Sequence, residues 1–490
     1  MLLSVKVLTI TYAELCHSVQ VGKFVWQRFG KGLVNVWKKV RTNSVKNDKI
    51  NSNAEKYLRI KSEGIVAMSI ISSKDVNEII RKTLGIINQK IMNHGEITGY
   101  ILYKMMEYEN AYTEQHYTEQ EMVDYTMIGI LHDIGLYKED NVKNVSDFET
   151  KNLWPHSIYG FLFLKYLSPM GDKAEVVLYH HLDYNRLGMV QTRYRHVIEL
   201  LAVADRMDTL LHMKDEKLEP DYFVRYRDTK FSGAALDLFQ KAEERYAITA
   251  NLINGKYREE LDVLLAKRAF SEQYKRGFLE MLVYTIDFRS EHTVIHTLAT
   301  VNFAEQLGRL ARLSGKDLRD LHYGALLHDL GKIAIPLHIL ESTGRLSDDE
   351  MKIMKAHVRI TEMILEGVVD DAVLQIAVRH HEKLDGTGYH RGLKAEDLTL
   401  PQQIVAVADI LSALYGKRSY KEPFSKEKIL EIMNSDADNG KINRNVVTTL
   451  ERNYDKIINE FEKEKENTIG LYLKIKEQYA VMIEKFQHFN

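Results

Sequence analysis

The chain has 490 residues, too many for one ordinary core at the usual ~100–200 residues per domain, so two or three domains are expected. Its 67 Lys+Arg against 69 Asp+Glu leave a formal charge of -2, which excludes the broad basic footprint of a nucleic-acid binder; any phosphate-bearing ligand must be met locally. The single cysteine, Cys16, excludes internal disulfides, and no apolar run approaches the ~20 residues of a membrane span, so a soluble, cytoplasmic protein without membrane partners is expected.

Only six prolines, with Leu, Ile, Lys and Glu abundant, favour long helices and an all-α fold. Residues 1–65 carry scattered aromatics and a basic, Asn-rich patch from Lys38 to Asn53; they read as a loosely packed extension of unknown role. From about Ser69 a helical pattern begins, and through residues 69–247 it carries His94, His132-Asp133, His156, His180-His181 and Asp205. The charged stretch Lys214–Glu219 breaks it, and Phe231–Glu243 reads as its closing helix. A mixed-charge helical connector over 248–280 leads into a second segment, 281–458, with His296, His328-Asp329, His357, His380-His381 and Asp409. Residues 459–490 read as an amphipathic terminal helix packed on the body of the protein.

The two sets form an internal repeat. Each runs His, His-Asp, His, His-His, Asp, with spacings of 38, 24, 24 and 25 residues in the first and 32, 29, 23 and 29 in the second. Local context repeats too. Ile128-Gly-Ile-Leu-His-Asp-Ile-Gly135 parallels Tyr323-Gly-Ala-Leu-Leu-His-Asp-Leu-Gly331, and Leu200-Leu-Ala-Val-Ala-Asp-Arg-Met207 parallels Ile404-Val-Ala-Val-Ala-Asp-Ile-Leu411. A lone buried histidine on a helix is more often structural. Here eleven of nineteen histidines, counting His292, fall in two matched sets, so metal binding is the stronger reading. Five imidazoles and two carboxylates suit iron, manganese, cobalt, nickel or zinc, and seven ligands suffice for two ions that share a carboxylate and activate water for attack on phosphorus.

Three further features bear on chemistry. Lys332 is placed either to meet a phosphate oxygen or simply to sit as a helix C-terminal lysine beside Gly331, and Leu136 at the matched position leaves the first copy without that charge. His292 lies one turn before His296 and is either an added ligand, to these or to a third metal, or a surface histidine. His381-Glu-Lys-Leu-Asp-Gly-Thr-Gly-Tyr389 is a tight loop directly after two ligands, while the first copy has His181-Leu-Asp-Tyr-Asn-Arg-Leu-Gly188 there.

His328-Asp-Leu-Gly-Lys332, Ile335-Pro336, Gly344-Arg-Leu-Ser347, His357 and His380-His-Glu-Lys-Leu-Asp-Gly-Thr-Gly-Tyr389 together resemble the HD-GYP domain of bacterial signalling proteins, from about Tyr284 to about Asn453. His390 stands where that signature has proline, which implies a less rigid loop. The resemblance implies an all-helical, metal-dependent phosphodiesterase that cuts a cyclic dinucleotide, typically cyclic di-GMP to pGpG and sometimes on to GMP, with iron or manganese as the usual cofactor. It further implies His296, His328, Asp329, His357, His380, His381 and Asp409 as ligands of two ions, Asp329 bridging, with Lys332 on the scissile phosphate. Arg418 and Lys421, in Arg-Ser-Tyr-Lys, match a substrate-holding segment, and His292 leaves open a third ion. The first copy is similar to divergent HD domains, so tandem HD-domain helical bundles are expected, the first binding metal in a regulatory or assembly role. Two rivals stand: hydrolysis of another nucleotide, such as mixed cyclic GMP-AMP or a nucleoside polyphosphate, and a non-catalytic cyclic dinucleotide effector. Sequence does not fix the oligomeric state, a homodimer included.

Overall fold

The computed structural model describes residues 71–138, 153–212, 222–267, 271–288, 295–342, 344–416 and 424–486. The extension over 1–65, the charged break Lys214–Glu219, His292, Arg418 and Lys421 lie outside them. The chain divides into Met1–Met68 and Ser69–Asn490, and the described residues all belong to the second unit.

That unit is all-helical; among the described residues the only β pairings are two isolated bridges. Its longer helices are α1 (Ser73–Ile87), α2 (Gln89–Tyr112), α3 (Glu119–Leu131), α4 (Leu153–Leu167), α5 (Glu175–Tyr179), α6 (Arg195–His212), α7 (Gly233–Tyr246), α8 (Lys256–Lys267), α9 (Glu272–Asp287), α10 (His296–Leu310), α11 (Gly315–Leu327), α12 (Asp348–Leu365), α13 (Asp371–Val378), α14 (Leu400–Tyr415), α15 (Lys426–Asp438) and α16 (Arg444–Phe486). Local chemistry starts several of them. Ser72 with Asp75, Thr118 with Glu121, and Ser347 with Glu350 form reciprocal capping boxes that satisfy the first N–H groups of α1, α3 and α12.

The sequence repeat is a structural one. Helices α2 to α6 follow one another as α10 to α14 do; α2 packs on α3 and α6, and α10 packs on α11 and α14. In each half the short 3-10 turn after the His-Asp pair lies against the helix carrying the next histidine, α4 or α12. A glycine permits this. A Cβ on Gly135 would lie 2.0 Å from the His156 carbonyl oxygen, and one on Gly331 would lie 2.0 Å from that of His357. The hydroxyl of Thr361 closes the second turn, accepting from the Gly331 amide at 3.0 Å and donating to the His328 carbonyl at 3.0 Å.

The expected connector over 248–280 contains the helix Ile248–Ile253, α8 and the start of α9, and its expected end between 280 and 281 falls inside α9. Helix α8 is tied to the first half through Glu260, which accepts from the Tyr100 hydroxyl at 3.0 Å and from Lys104 at 2.7 Å. The terminal helix starts at Arg444, not at Asn459, so the boundary expected between 458 and 459 falls inside a helix. The break lies earlier: Gly440 adopts φ +70° after α15, and the Asn443 side chain caps α16 by accepting from the amides of Asn445 and Val446. Helix α16 runs across both halves, burying Ile457 and Phe461 and packing on α10, then reaching α4, where Tyr479 stacks on Tyr159 at 3.9 Å and Phe486 meets Trp154 edge-on. No helix among the described residues is long and apolar enough to cross a membrane.

Candidate metal centre

In the second half the ligand candidates come from five separate elements. His296 opens α10, His328 caps the C-terminus of α11 with Asp329 next to it, His357 lies on α12, His380 and His381 follow α13, and Asp409 lies on α14. Asp329 sits between two groups of imidazoles. Its Oδ2 is 3.2 Å from His296 Nε2 and 3.1 Å from His328 Nε2, while Oδ1 is 3.4 Å from His357 Nε2 and 3.9 Å from His380 Nε2. Asp409 faces the same space, with Oδ1 3.2 Å from His296 Nε2 and Oδ2 3.4 Å from His381 Nδ1.

The imidazoles are held by their other nitrogens. The Nδ1–H groups of His328, His357 and His380 donate to the carbonyls of Ala325, Met354 and Ala377 at 2.6–2.7 Å, which fixes the tautomer and turns each Nε2 lone pair inward. His296 Nδ1 is 2.9 Å from the Ser412 hydroxyl, which donates to the Asp409 carbonyl at 2.8 Å. Although buried, His328 Nε2 and Asp329 Oδ1 make no hydrogen bond of good geometry. Buried polar atoms left so cost about 1–3 kcal/mol each, a cost that a cation between them removes.

The electrostatics divide the site in two. Burial lowers the His357 imidazole to about 3 and His381 to about 4, and pushes His380 well down, so three neutral rings present lone pairs together. At His328 burial is outweighed by Asp329 and Asp409, which push it up to about 10; at His296 burial and Lys332 are outweighed by the same two carboxylates. Against burial, His328 and Lys332 hold Asp329 well below the carboxylate range. Neutral imidazoles on one side and ionised carboxylates on the other meet the needs of borderline divalent cations such as iron, manganese or zinc, and the residues fit such ions. Two groups with converging donor atoms correspond to the two sides: His296-His328-Asp329 and His357-His380-His381.

The first half repeats this arrangement with His94, His132, Asp133, His156, His180, His181 and Asp205. Asp133 Oδ2 lies 3.9 Å from His94 Nε2 and 3.6 Å from His132 Nε2, and its Oδ1 lies 3.5 Å from His156 Nε2. His132 and His180 donate from Nδ1 to the carbonyls of Gly129 and Val177, and their Nε2 atoms are buried without a hydrogen bond. Burial lowers His156, His180 and His181, whereas carboxylates outweigh burial and raise His94 and His132.

Lys332 is not a surface lysine capping a helix. It is mostly buried and paired with Asp329 inside the site. The first half has Leu136 in its place and lacks that ammonium, but a different cation reaches the cluster elsewhere: Arg206 brings Nη2 to 3.3 Å from His181 Nδ1. The signal for this was Arg206 opposite Ile410 in the repeat.

The loop after His381 is organised by Glu382, whose role was not read from the sequence. Buried at 3% exposure, its carboxylate accepts from the amides of His390, Arg391 and Leu393 at 3.0, 2.6 and 2.9 Å. The His390 amide bond is one that proline cannot make, and the His390 ring adds a contact to Glu362 on α12 at 2.9 Å. The loop is therefore tied by hydrogen bonds where a proline would have stiffened it. Its Tyr389 ring lies 4.7 Å from the ring of His381.

Residues 280–446 match the model of the HD domain. Among curated proteins, the chain is 26% identical over 394 residues to the 3'3'-cGAMP-specific phosphodiesterase 1 of Vibrio cholerae, covering 76% of this chain and 90% of that protein. It is 40% identical over 176 residues to the cyclic di-GMP phosphodiesterase response regulator RpfG of Xanthomonas campestris, and 36% identical over 156 residues to a cyclic di-GMP phosphodiesterase of Thermotoga maritima. Those matches cover 34% and 31% of this chain, which spans less than half of either protein, 45% and 42%.

Proposed function

We propose that the second half is a metal-dependent phosphodiesterase acting on a cyclic dinucleotide, with cyclic di-GMP as the first substrate to test. One observation carries the reading: Asp329 has one oxygen toward each of two histidine groups, at a site that stays open beside His381, whose side chain is 26% exposed. His296, His328, Asp329, His357, His380, His381 and Asp409 would hold two ions, iron or manganese. Ions bound there supply Lewis-acid activation of water and neutralise phosphate charge.

The chain's own residues prepare the rest. The Lys332 ammonium lies beside Asp329, where it would meet a non-bridging phosphate oxygen and stabilise the charge that grows on it as the P–O bond breaks. Burial lowers Lys332, but Asp329 and Asp409 outweigh it and keep the ammonium charged. His381, 26% exposed, is held against the Tyr389 ring. Arg418 and Lys421 would hold the substrate from the segment after α14. The similarity to a 3'3'-cGAMP-specific enzyme extends beyond the HD-domain segment to 76% of the chain, which favours mixed cyclic GMP-AMP as the second reading. The first half, residues 69–247, would be a divergent HD domain with a regulatory or assembly role.

The test is hydrolysis of both dinucleotides by manganese- or iron-loaded protein, followed by chromatography of the products. Asp329→Ala should abolish turnover, and Asp133→Ala should leave it measurable. Metal-loaded wild-type protein that cleaves neither dinucleotide would overturn the proposal.

A further inference from the structure

The two clusters differ at two matched positions on one helix turn. Asp205-Arg206-Met207-Asp208 on α6 stands where α14 has Asp409-Ile410-Leu411-Ser412. Both differences bear on how many cations each cluster can hold.

Arg206 acts on the three-imidazole side. Its Nη2 is 3.3 Å from His181 Nδ1 and its Nε is 4.0 Å from Asp205 Oδ2. A guanidinium offers donors only and stays charged in proteins, so it takes the lone pair on that face of His181 and repels a divalent cation beside it. The second half has the uncharged Ile410 at this position. Asp208 acts on the opposite side. It accepts from His94 Nδ1 at 2.6 Å, where His296 Nδ1 meets the Ser412 hydroxyl instead. A carboxylate behind an imidazole raises its strength as a ligand, so the side formed by His94, His132, Asp133 and Asp205 gains what the other side loses.

Charge and access agree with this division. One doubly charged ion and one guanidinium balance the three carboxylates Asp133, Asp205 and Asp208; two ions beside Arg206 would leave a buried excess of positive charge, which is costly. The first cluster has little solvent to offset such an excess, since the His94 and His181 side chains are each 3% exposed, against 14% and 26% for His296 and His381. The second, being open, can take an anionic ligand.

We propose that the first cluster holds a single divalent transition ion, bound by His94, His132, Asp133 and Asp205, with the Arg206 guanidinium taking the place of a second ion beside His156, His180 and His181. This rests on the first cluster binding metal and is independent of what the second hydrolyses. It makes the first half a closed, one-ion centre, the pattern of structural rather than catalytic metal sites.

The test counts metal in full-length protein loaded with manganese and desalted, with circular dichroism to confirm folding. Relative to wild type, His181→Ala should keep its manganese, His381→Ala should lose about one ion per chain, and Arg206→Ile should gain about one, because removing the guanidinium opens the three-imidazole side to a cation. Loss of an ion in His181→Ala, or an unchanged count in folded Arg206→Ile, overturns the proposal. Should Arg206→Ile not fold, the neutral Arg206→Gln replaces it, and the His181→Ala count decides in either case. A His381→Ala protein that keeps all its metal would count against two ions in the second cluster, without touching the first.

Discussion

The tightest constraints at the residue scale are hydrogen bonds that only one side chain or one amide can make. The His390 amide donates to the buried Glu382 carboxylate, so His390→Pro removes that donor together with the ring's contact to Glu362. We expect a loss of about 1–3 kcal/mol in urea unfolding, because a buried acceptor is left short of a partner. Equal stability would show that the loop does not depend on this bond. The histidines predict a pH dependence of the metal-free protein. His357 and His381 titrate near 3 and 4 when folded, against about 6.5 in an unfolded chain, so below that value the unfolded state binds more protons. Their contribution is lost as pH falls from about 6.5 toward 4. His328, raised to about 10, contributes fully below 6.5 and is constant over that window, so it does not offset the loss. In chelator, the melting temperature should therefore drop steadily between pH 6.5 and 4, and the drop should shrink in His357→Ala. A flat profile would mean that these rings are not buried neutral.

Single helices and turns show why part of the site could be read in the sequence and part could not. The order of the clustered histidines and carboxylates was legible because each occupies a fixed place in its element: the His-Asp pair at the end of a helix, the His-His pair after one, the last Asp within one. The repeat then set these residues apart as ligand candidates. The partners of those candidates were not legible. Ser412 behind His296 and Glu382 beneath the loop carry no periodicity or motif, since their roles depend on which elements meet in space. Gly135 and Gly331 lie between these cases, visible as repeated residues but explained only by the close approach of two backbones. At Gly331 that approach gives a direct expectation. A Cβ there would lie 2.0 Å from a carbonyl oxygen of α12, so Gly331→Ala must push the turn off the helix and carry Asp329 with it. Overpacking of this kind costs about 1–3 kcal/mol or more, and metal retention should fall along with stability. Gly344→Ala, with open space around the glycine, is the control and should be neutral. Equal behaviour of the two variants would remove the packing argument.

For the molecule as a whole, α16 links the two halves, as α9 also does. Its first part is buried against α10 through Ile457 and Phe461, and Asn302 on α10 donates to its Glu464 at 2.7 Å. Its last part is held on α4 by Tyr479 over Tyr159, by Phe486 against Trp154, and by the Tyr166 hydroxyl donating to Gln478 at 2.9 Å. A helix of 43 residues spans the two contacts without a break, so displacement at one end is carried to the other. Deleting residues 467–490 leaves the contacts of Ile457, Phe461 and Glu464, removes those on α4 and takes away the buried side chains of Ile475 and Phe486. At about 1.5–3 kcal/mol for each large apolar side chain taken from water, those two alone amount to roughly 3–6 kcal/mol of linkage, and Trp154 and Tyr159 become exposed as well. The full chain should melt in one calorimetric transition. The truncated chain should melt in two, with the first half unfolding earlier and the transition of the second half nearly unmoved. Manganese retained after desalting should then fall on the side of Asp133 and not on that of Asp329, which Asp133→Ala and Asp329→Ala in the truncated background would separate. One unchanged transition after truncation would mean that contacts elsewhere, such as Lys82 on α1 donating to the Glu366 carbonyl after α12, are enough to hold the halves together.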